Sequence, residues 1–219
     1  MCYHTRRTVA SRSVVLDPPP DAARAMARAL GLAADEAGLV HVDAWLRELC
    51  TWNRTHDLTA ARTTAELLDL MVADAVVLAR HLPHGLAVVD VGSGAGAPGL
   101  PLALLRPDLR VTLVEPLQKR VSFMRLVLSQ LGRLDVTVVA GRGESQPEGT
   151  FDVALSRATL APEAWIALGR RLVREAGQVV AFLATAETPA GDRLSLESEV
   201  PYVWPETQAA RRMAIYRAN

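Results

Sequence analysis

Along the first third of the chain, apolar residues recur every three or four positions, the spacing of helices with one buried face. Val42, Trp45, Leu46 and Leu49 share one such face. Hydroxyl or acidic residues precede two of these stretches, and Gly or Pro follows them, as at many helix ends. The pattern predicts three helices, over Asp21–Leu30 with Asp21 as N-cap, His41–Trp52, and from Thr63 or Thr64 to Leu82.

From residue 86 onward, short continuous apolar runs alternate with further helical stretches. The predicted strands are Leu86–Val91, Arg110–Glu115, Val136–Ala140, Phe151–Leu155, Gln178–Leu183, and a tail pair near Val200–Trp204 and Met213–Tyr216. The predicted helices between them are Gly99–Leu105, Gln118–Leu131 and Ala161–Leu172. Strands that alternate with helices indicate βαβ units, and therefore a mostly parallel sheet covered on both faces.

These elements predict an α/β fold, Rossmann-like and doubly wound, that carries a helical N-terminal extension. We expect three parts: a basic, disordered tail over 1–20, a helical extension over 21–84, and a core over 85–219 that binds the ligand. The tail contains three arginines, no acid before Asp17, and a proline run at its end. It lacks the apolar stretch of a secretory or twin-arginine signal.

Composition limits the partners and the compartment. Lys and Arg together number 24, as do Asp and Glu, so the net charge gives no overall attraction to nucleic acid. No apolar run approaches the roughly 18 residues of a membrane-spanning helix, so we expect no membrane partner. Two cysteines and five histidines without ligand spacing predict no disulfide framework and no metal site. The simplest location is the cytoplasm.

The stretch from Asp90 to Gly99 carries the clearest chemical signal. An apolar strand runs into glycines at every second position, Gly92, Gly94 and Gly96, and a helix follows. Glycine lets the backbone turn sharply and lets a ligand lie directly on it. Three alternating glycines exceed what a plain turn requires, so the loop predicts a ligand site.

Two ligand classes fit this loop. Gly94–Gly99 matches the G-x-G-x-x-G spacing of dinucleotide sites, which alone is a weak signal. Asp90 would oppose a pyrophosphate but suits a cofactor that carries an ammonium and a sulfonium. Pro98 and Pro101 also remove amide donors from the helix start. The charges therefore favour S-adenosyl-L-methionine, with an NAD-dependent dehydrogenase as the weaker alternative.

Two further positions follow strand ends on the same predicted edge. Glu115 ends the second strand, where a carboxylate accepts hydrogen bonds from ribose hydroxyls in several nucleoside-binding folds. Gly143 and Glu144 follow the third strand, where an adenine edge is expected, although the pair is also typical of an ordinary loop.

Several motifs in order resemble the glucose-inhibited division protein B (GidB) family, the bacterial 16S ribosomal RNA guanine-N7 methyltransferases. The similar stretches are Trp52–Thr59 (W-N-x-x-x-N-L-T), Val89–Gly99 (D-V-G-[ST]-G-x-G-x-P-G), Lys119–Met124 (K-R-x-x-F-L) and Ser156–Ala158 (S-R-A). The ending Tyr216–Asn219 is also similar, and the likeness covers most of the chain after about residue 40.

The resemblance implies a class I methyltransferase that uses S-adenosyl-L-methionine and acts on 16S rRNA or the 30S subunit. It implies cofactor contacts, to which we add Asp90 from its charge: Asp90, Gly92, Gly94, Gly96, Ala97, Glu115, Gly143, Glu144 and Arg157. Lys119, Arg120 and Arg125, on the helix after Glu115, are expected to meet the RNA phosphates, with a solvated helix face as the alternative. Asp74 and Arg157 are the predicted catalytic residues, as groups that shape the pocket. Guanine N7 attacks with a neutral lone pair, so no general base is expected.

Three positions depart from the family pattern. Met71 replaces the histidine of H-I-L-D-S, Leu183 replaces the lysine of L-K-G, and Asp57 replaces the asparagine of N-L-T. All three are expected on the target and cofactor side of the protein. They favour, as an alternative, a methyltransferase with another substrate such as a small molecule, for which Asp74 or Asp57 would serve as base. A nucleoside-binding pseudo-enzyme is a further alternative, and a monomer is the expected state.

Overall fold

The computed structural model describes residues 16–157, 159–184 and 187–219, and these form one mixed sheet with helices on both faces. The strands are β1 Ala87–Val91, β2 Arg110–Glu115, β3 Thr137–Ala140, β4 Phe151–Ser156, β5 Val173–Leu183, β6 Leu194–Val203 and β7 Ala210–Ala218. Their order across the sheet is β3-β2-β1-β4-β5-β7-β6. The first five strands run parallel, and β7 pairs antiparallel with both β5 and β6.

The helices cover the sheet as predicted for βαβ units. They are α1 Ala22–Ala29, α2 Glu36–His56, α3 Thr64–Leu68, α4 Asp74–Ala79, α5 Gly99–Leu105, α6 Gln118–Gln130 and α7 Pro162–Leu172, with a π-helical segment Asp69–Ala73 joining α3 to α4 and a 3₁₀ turn at Gly143–Ser145. Helices α1 to α6 share a core with one face of the sheet, and α7 packs on the other.

The central strand shows why the apolar runs are continuous. Val88 belongs to the core under α5, and its neighbour Val89 belongs to the core under α7, and neither is exposed. A strand buried on both faces needs apolar side chains at odd and even positions alike. The α/β fold with a mostly parallel sheet is confirmed.

The strand order reverses at β1, which pairs with β2 on one side and β4 on the other. Connections on the two sides therefore diverge and leave a crevice at the carboxyl ends of β1 and β4. The Gly92–Gly96 loop and Arg157 both lie at this end of the sheet.

Element bounds agree closely with prediction around the ligand loop and less well elsewhere. Gly99–Leu105 and Arg110–Glu115 are reproduced without change. Helix α2 and the tail strands β6 and β7 are longer than predicted. The predicted helix to Leu82 ends at Ala79 and includes the π-helical segment, which no spacing in the sequence indicated.

Asp21 occupies the predicted N-cap position of the first helix, but its side chain does not cap the helix. Asp21 has a left-handed backbone (φ 62°) and no side-chain capping bond. Instead, Asp43 of α2 reaches across, and its Oδ1 accepts the Ala23 N–H at 2.8 Å. At α3, Thr63 does act as the cap, accepting the Glu66 N–H at 3.1 Å.

The predicted N-terminal tail falls mostly on residues 1–15, which lie outside the described residues. At its end, Leu16 is buried in the core, and Asp17 and Thr64 are hydrogen-bonded to one another. The tail therefore does not extend to residue 20. None of the helices in the described ranges is long and apolar enough to cross a membrane.

Candidate functional site

A cleft of about 650 Å³ opens at the carboxyl ends of β1, β2 and β4. Three of its walls come from the predicted positions: the glycine loop after β1, Glu115 at the end of β2, and Arg157 after β4. The cleft is lined by Leu58, Thr59, Ala60, Leu70, Met71, Gly92, Ser93, Gly94, Ala95, Ala97, Glu115, Pro116, Leu117, Arg120, Arg157 and Thr159.

Glu115 joins the end of β2 to the glycine loop. It is 3% exposed, its Oε2 accepts the Gly94 N–H at 2.9 Å, and its Oε1 accepts the Leu117 N–H at 3.0 Å. Each carboxylate oxygen has a second acceptor site, so both retain capacity for a ligand hydroxyl. The Arg120 guanidinium lies 3.9 Å away and offsets the buried charge.

The glycines of the loop serve two different purposes. A Cβ at Gly92 would lie 2.3 Å from Thr159 Oγ1, so this glycine is required by close packing. Gly94 has φ 60°, and a Cβ there would meet only Arg120 Nη1, at 4.0 Å. Gly94 therefore presents bare backbone to the open cleft, the form of cradle that a closely approaching nucleoside ligand requires.

Asp90 lies behind the loop and does not line the cleft. It is 1% exposed, and its Oδ2 accepts the Gly99 N–H at 2.9 Å at the start of α5. Asp90 therefore does not lie where its side chain could contact a cofactor directly, contrary to the prediction. Burial raises the pKa of Asp90 to about 7, and the positive charge of Arg157 opposes that rise.

A smaller cavity of about 350 Å³ continues the cleft past β3. It is lined by Gly143 and Glu144, and it shares Gly92, Leu117 and Thr159 with the main cleft. Because the two cavities share walls, they form one elongated groove over the ends of β1 and β2. Such a groove has room for a nucleoside at one end and an amino-acid moiety at the other.

Arg157, which is partly exposed, forms an ion pair with buried Asp74 at the opposite wall. Arg157 Nη1 donates to the Leu70 carbonyl oxygen and to Asp74 Oδ2, the latter at 3.2 Å. Asp74 is 2% exposed, and its Oδ1 accepts the Tyr202 hydroxyl at 2.6 Å and Trp204 Nε1 at 2.9 Å. Arg157 lines the cleft and Asp74 stands behind it, so the position of Asp74 argues against its alternative role as a base.

Tyr202 and Trp204 were not found by sequence reasoning. They lie 128 and 130 residues from Asp74 along the chain, and no spacing relates them to it. Both fall within the tail strand predicted near Val200–Trp204, but that prediction gave neither side chain a contact with Asp74.

The three basic residues on α6 are not brought to one place. Arg120 lines the cleft. Lys119 is exposed at the end of α2, where its Nζ donates to the His56 carbonyl oxygen at 2.9 Å. Arg125 instead donates to the Val138 carbonyl oxygen at 2.8 Å on the edge strand β3. The expectation of a common phosphate contact therefore fits Arg120 and the nearby Lys119 better than Arg125.

Of the three departures from the family pattern, only Met71 lies at the cleft. Asp57 is exposed in the left-handed C-cap position of α2 (φ 50°), a conformation that Asn and Asp tolerate better than most residues. Leu183 is 4% exposed and packs in the core beneath α7. The expectation that they face the target and cofactor is therefore wrong for Leu183, and it stays a prediction for Asp57, which is exposed next to the cleft residue Leu58. Ala158 of the S-R-A motif lies outside the described residues.

Comparison with known proteins gives consistent results. Residues 39–195 match the family model GidB, described as rRNA small subunit methyltransferase G. A ribosomal RNA small subunit methyltransferase G of Anaeromyxobacter dehalogenans is 36% identical over 197 residues, which cover 85% of this chain and 91% of that protein. One of the same name from Chromobacterium violaceum is 39% identical over 154 residues, covering 70% and 74% respectively.

The fold also has solved counterparts. The crystal structure of a predicted O-methyltransferase from Agrobacterium tumefaciens superposes with a TM-score of 0.57 at 21% identity, covering 66% of this chain and 80% of that one. At that identity the likeness concerns the fold, which is the Rossmann-like fold of methyltransferases.

Proposed function

Because this chain belongs to the rRNA small subunit methyltransferase G family and is a methyltransferase, we propose that it transfers a methyl group from S-adenosyl-L-methionine to 16S rRNA. The proposal rests on the agreement between the family match and the geometry of the cleft. A family model for rRNA methyltransferases covers residues 39–195, and the ends of β1, β2 and β4 within that range meet at a single groove.

The groove fits the methyl donor. Gly94 offers bare backbone to the methionyl part, with Gly92, Gly96 and Ala97 shaping the loop around it. Glu115 has acceptor capacity for the ribose hydroxyls. S-Adenosyl-L-methionine, when bound, supplies an electrophilic methyl group on a sulfonium.

We propose that the adenine end of the donor lies in the continuing cavity. Gly143 and Glu144 lie there, and exposed Leu117 and Leu160 flank the space with apolar surface. Asp90 acts indirectly in this proposal, because it holds the start of α5 against the glycine loop rather than touching the donor.

Guanine N7 is the target atom that we propose. Glu115 is the only carboxylate among the described residues lining the main cleft, and both of its oxygens already accept amide N–H groups. No histidine lines that part either. A nucleophile that needs no base suits such a site, because N7 has a lone pair and no proton to lose. Methyl transfer is then driven by alignment and by exclusion of water.

Positive groups at the rim suit an RNA substrate. Arg120 and Arg157 line the cleft, and Lys119 lies on the first turn of α6 beside Arg120. Arginine and lysine contacts to phosphates position a nucleic acid without reading its sequence. We expect one chain to suffice, because these groups and the groove come from the same molecule, and we expect the reaction in the cytoplasm with ribosomal subunits.

A labelling experiment tests the proposal. The chain is incubated with methyl-labelled S-adenosyl-L-methionine and either 30S subunits or naked 16S rRNA from cells that lack their own guanine-N7 enzyme. The proposal expects label on one guanine, recovered as 7-methylguanosine after digestion. Label on small molecules only, with none on RNA, would support the alternative substrate. Donor binding without any turnover would support the pseudo-enzyme.

A further inference from the structure

The turn between β6 and β7 is tied to the wall of the cleft by two buried carboxylates. Asp74 accepts the Tyr202 hydroxyl and Trp204 Nε1 on one oxygen, and it holds Arg157 with the other. Asp69, which is not exposed at all, accepts the Glu206 N–H at 3.2 Å and both the N–H and the hydroxyl of Thr207 at 2.7 Å.

The π-helical segment explains how both acids reach the same turn. In a regular α-helix, residues five apart lie about 140° apart around the axis. The i→i+5 bonding of a π-helix brings residues five apart closer to one face. Asp69 begins this segment and Asp74 follows it, so both carboxylates point to the β6–β7 turn. Segments of this kind occur frequently at functional sites.

The same segment supplies a second partner for Arg157. Its Nη1 donates to the carbonyl oxygen of Leu70, within the π-helical segment, as well as to Asp74. Two acceptors on one nitrogen fix the plane of the guanidinium where it lines the cleft. The Asp74 carboxylate is itself held by Tyr202 and Trp204. Losing either donor would leave its buried negative charge less compensated, so both keep Asp74 in place.

We infer that Tyr202 and Trp204 are positioning residues, which hold Asp74 so that Arg157 keeps its place in the cleft during transfer to RNA. The inference rests on the proposed function. It assigns to the C-terminal hairpin a part in the reaction, although neither aromatic side chain lines the groove. Among the described residues, no hydrogen bond joins the Glu115 and Gly94 cradle to this network, so we expect the network to act on transfer more than on donor affinity.

The test compares Tyr202→Phe with Tyr216→Phe. Each substitution removes one hydroxyl that bonds within the protein, to Asp74 at 2.6 Å or to the Pro189 carbonyl oxygen at 2.8 Å. We expect Tyr202→Phe to lower kcat for RNA methylation about tenfold, with the Kd for S-adenosylhomocysteine within twofold of wild type. Tyr216→Phe is expected to keep kcat within twofold of wild type, even if its melting temperature falls as far as that of Tyr202→Phe. Equal kcat in the two variants, or a parallel loss of donor affinity in Tyr202→Phe, would overturn the inference.

A second comparison separates positioning from general stability. Trp204→Phe is expected to lower kcat as Tyr202→Phe does, and in an Arg157→Lys background neither substitution is expected to change kcat by more than twofold. A further tenfold loss in that background would overturn the inference.

Failure of the proposed function is distinguishable from failure of this inference. If the wild-type chain transfers no methyl group to RNA, the proposed function fails. The inference is then judged by crystal structures of wild type and Tyr202→Phe with S-adenosylhomocysteine. A displaced Arg157 guanidinium supports it, and an unmoved guanidinium overturns it.

Discussion

Glu115 Oε2 accepts the Gly94 N–H at 2.9 Å and so fixes the glycine loop to the end of the neighbouring strand. The acid that is expected to hold the donor ribose also sets the shape of the loop beneath it. Changes at this one contact therefore act on both halves of the groove.

Replacing Glu115 by Gln is expected to weaken S-adenosylhomocysteine binding by about 10- to 100-fold. The amide has one acceptor oxygen for two N–H groups, and hydrogen bonds to a charged partner contribute about 1.5–3 kcal/mol. Isothermal titration measures the affinity. Glu148→Gln, which removes an exposed carboxylate paired with Arg171, is the matched control and should leave the affinity unchanged. Equal affinities of the two variants would remove Glu115 from the site.

Gly94→Ala is expected to abolish measurable donor binding at a small cost in stability. Its φ of 60° makes any Cβ unfavourable by about 1 kcal/mol, and that Cβ would also project into the cleft. Gly132→Ala is the control, because Gly132 has φ 67° after α6 with nothing within 4 Å of a Cβ. Thermal melts should show similar losses for both variants. Donor binding that survives in Gly94→Ala would contradict the proposed cradle.

Trp45→Phe is expected to lower donor affinity by about threefold to tenfold. Trp45 is fully buried, and its Nε1 donates to the Ala95 carbonyl oxygen of the loop at 3.2 Å. A lost hydrogen bond of this kind is worth about 1 kcal/mol. Trp165→Phe removes a similar bond, to the Val180 carbonyl oxygen at 2.9 Å, from the opposite side of the sheet. Fluorescence competition should show a weaker donor complex in Trp45→Phe alone, and identical affinities would show that the contact does not hold the loop.

Asp90 makes stability depend on pH. Its pKa is raised by burial from 3.8 to about 7, so between these values the folded chain binds more protons there than the unfolded chain. Stability from this group is therefore fully present below about pH 4 and is lost as pH rises through about 7. The charge of Arg157 lowers the pKa of this carboxyl and that of Glu115 raises it. Both residues are still present in the Asp90→Asn variant, so the comparison isolates the titration of Asp90. The melting temperature of wild type should fall relative to that of Asp90→Asn between pH 5 and 7.5, by several degrees. A difference that stays constant with pH would contradict the raised pKa.

The site was predictable from the sequence where it depends on strand ends. The glycine loop, Glu115 and Gly143 each follow an apolar run, and parallel strands bring their carboxyl ends to one edge. That rule places the three together without any knowledge of side-chain contacts. The same rule does not say which side chains face the groove, so the burial of Asp90 behind the loop was not foreseen.

The support of Arg157 was not predictable, for physical reasons. It depends on a π-helical segment whose sequence, Asp69–Ala73, has ordinary helical spacing, and on aromatic donors far along the chain. Contacts between distant segments are set by packing, and no local periodicity encodes them. Packing also explains the start of α1, where Asp43 and not Asp21 accepts an amide N–H. Asp43 lies on α2 and reaches Ala23 because the two helices pack against each other.

We propose above all that the groove between the glycine loop and Glu115 binds a methyl donor. Titration of the full chain with S-adenosyl-L-methionine, repeated in the presence of excess NAD, tests it most directly. We expect one donor molecule per chain, an affinity that NAD does not change, and no binding by Gly94→Ala. Absence of donor binding by the wild-type chain, or displacement of the donor by NAD, would show that this groove is not a methyl-donor site.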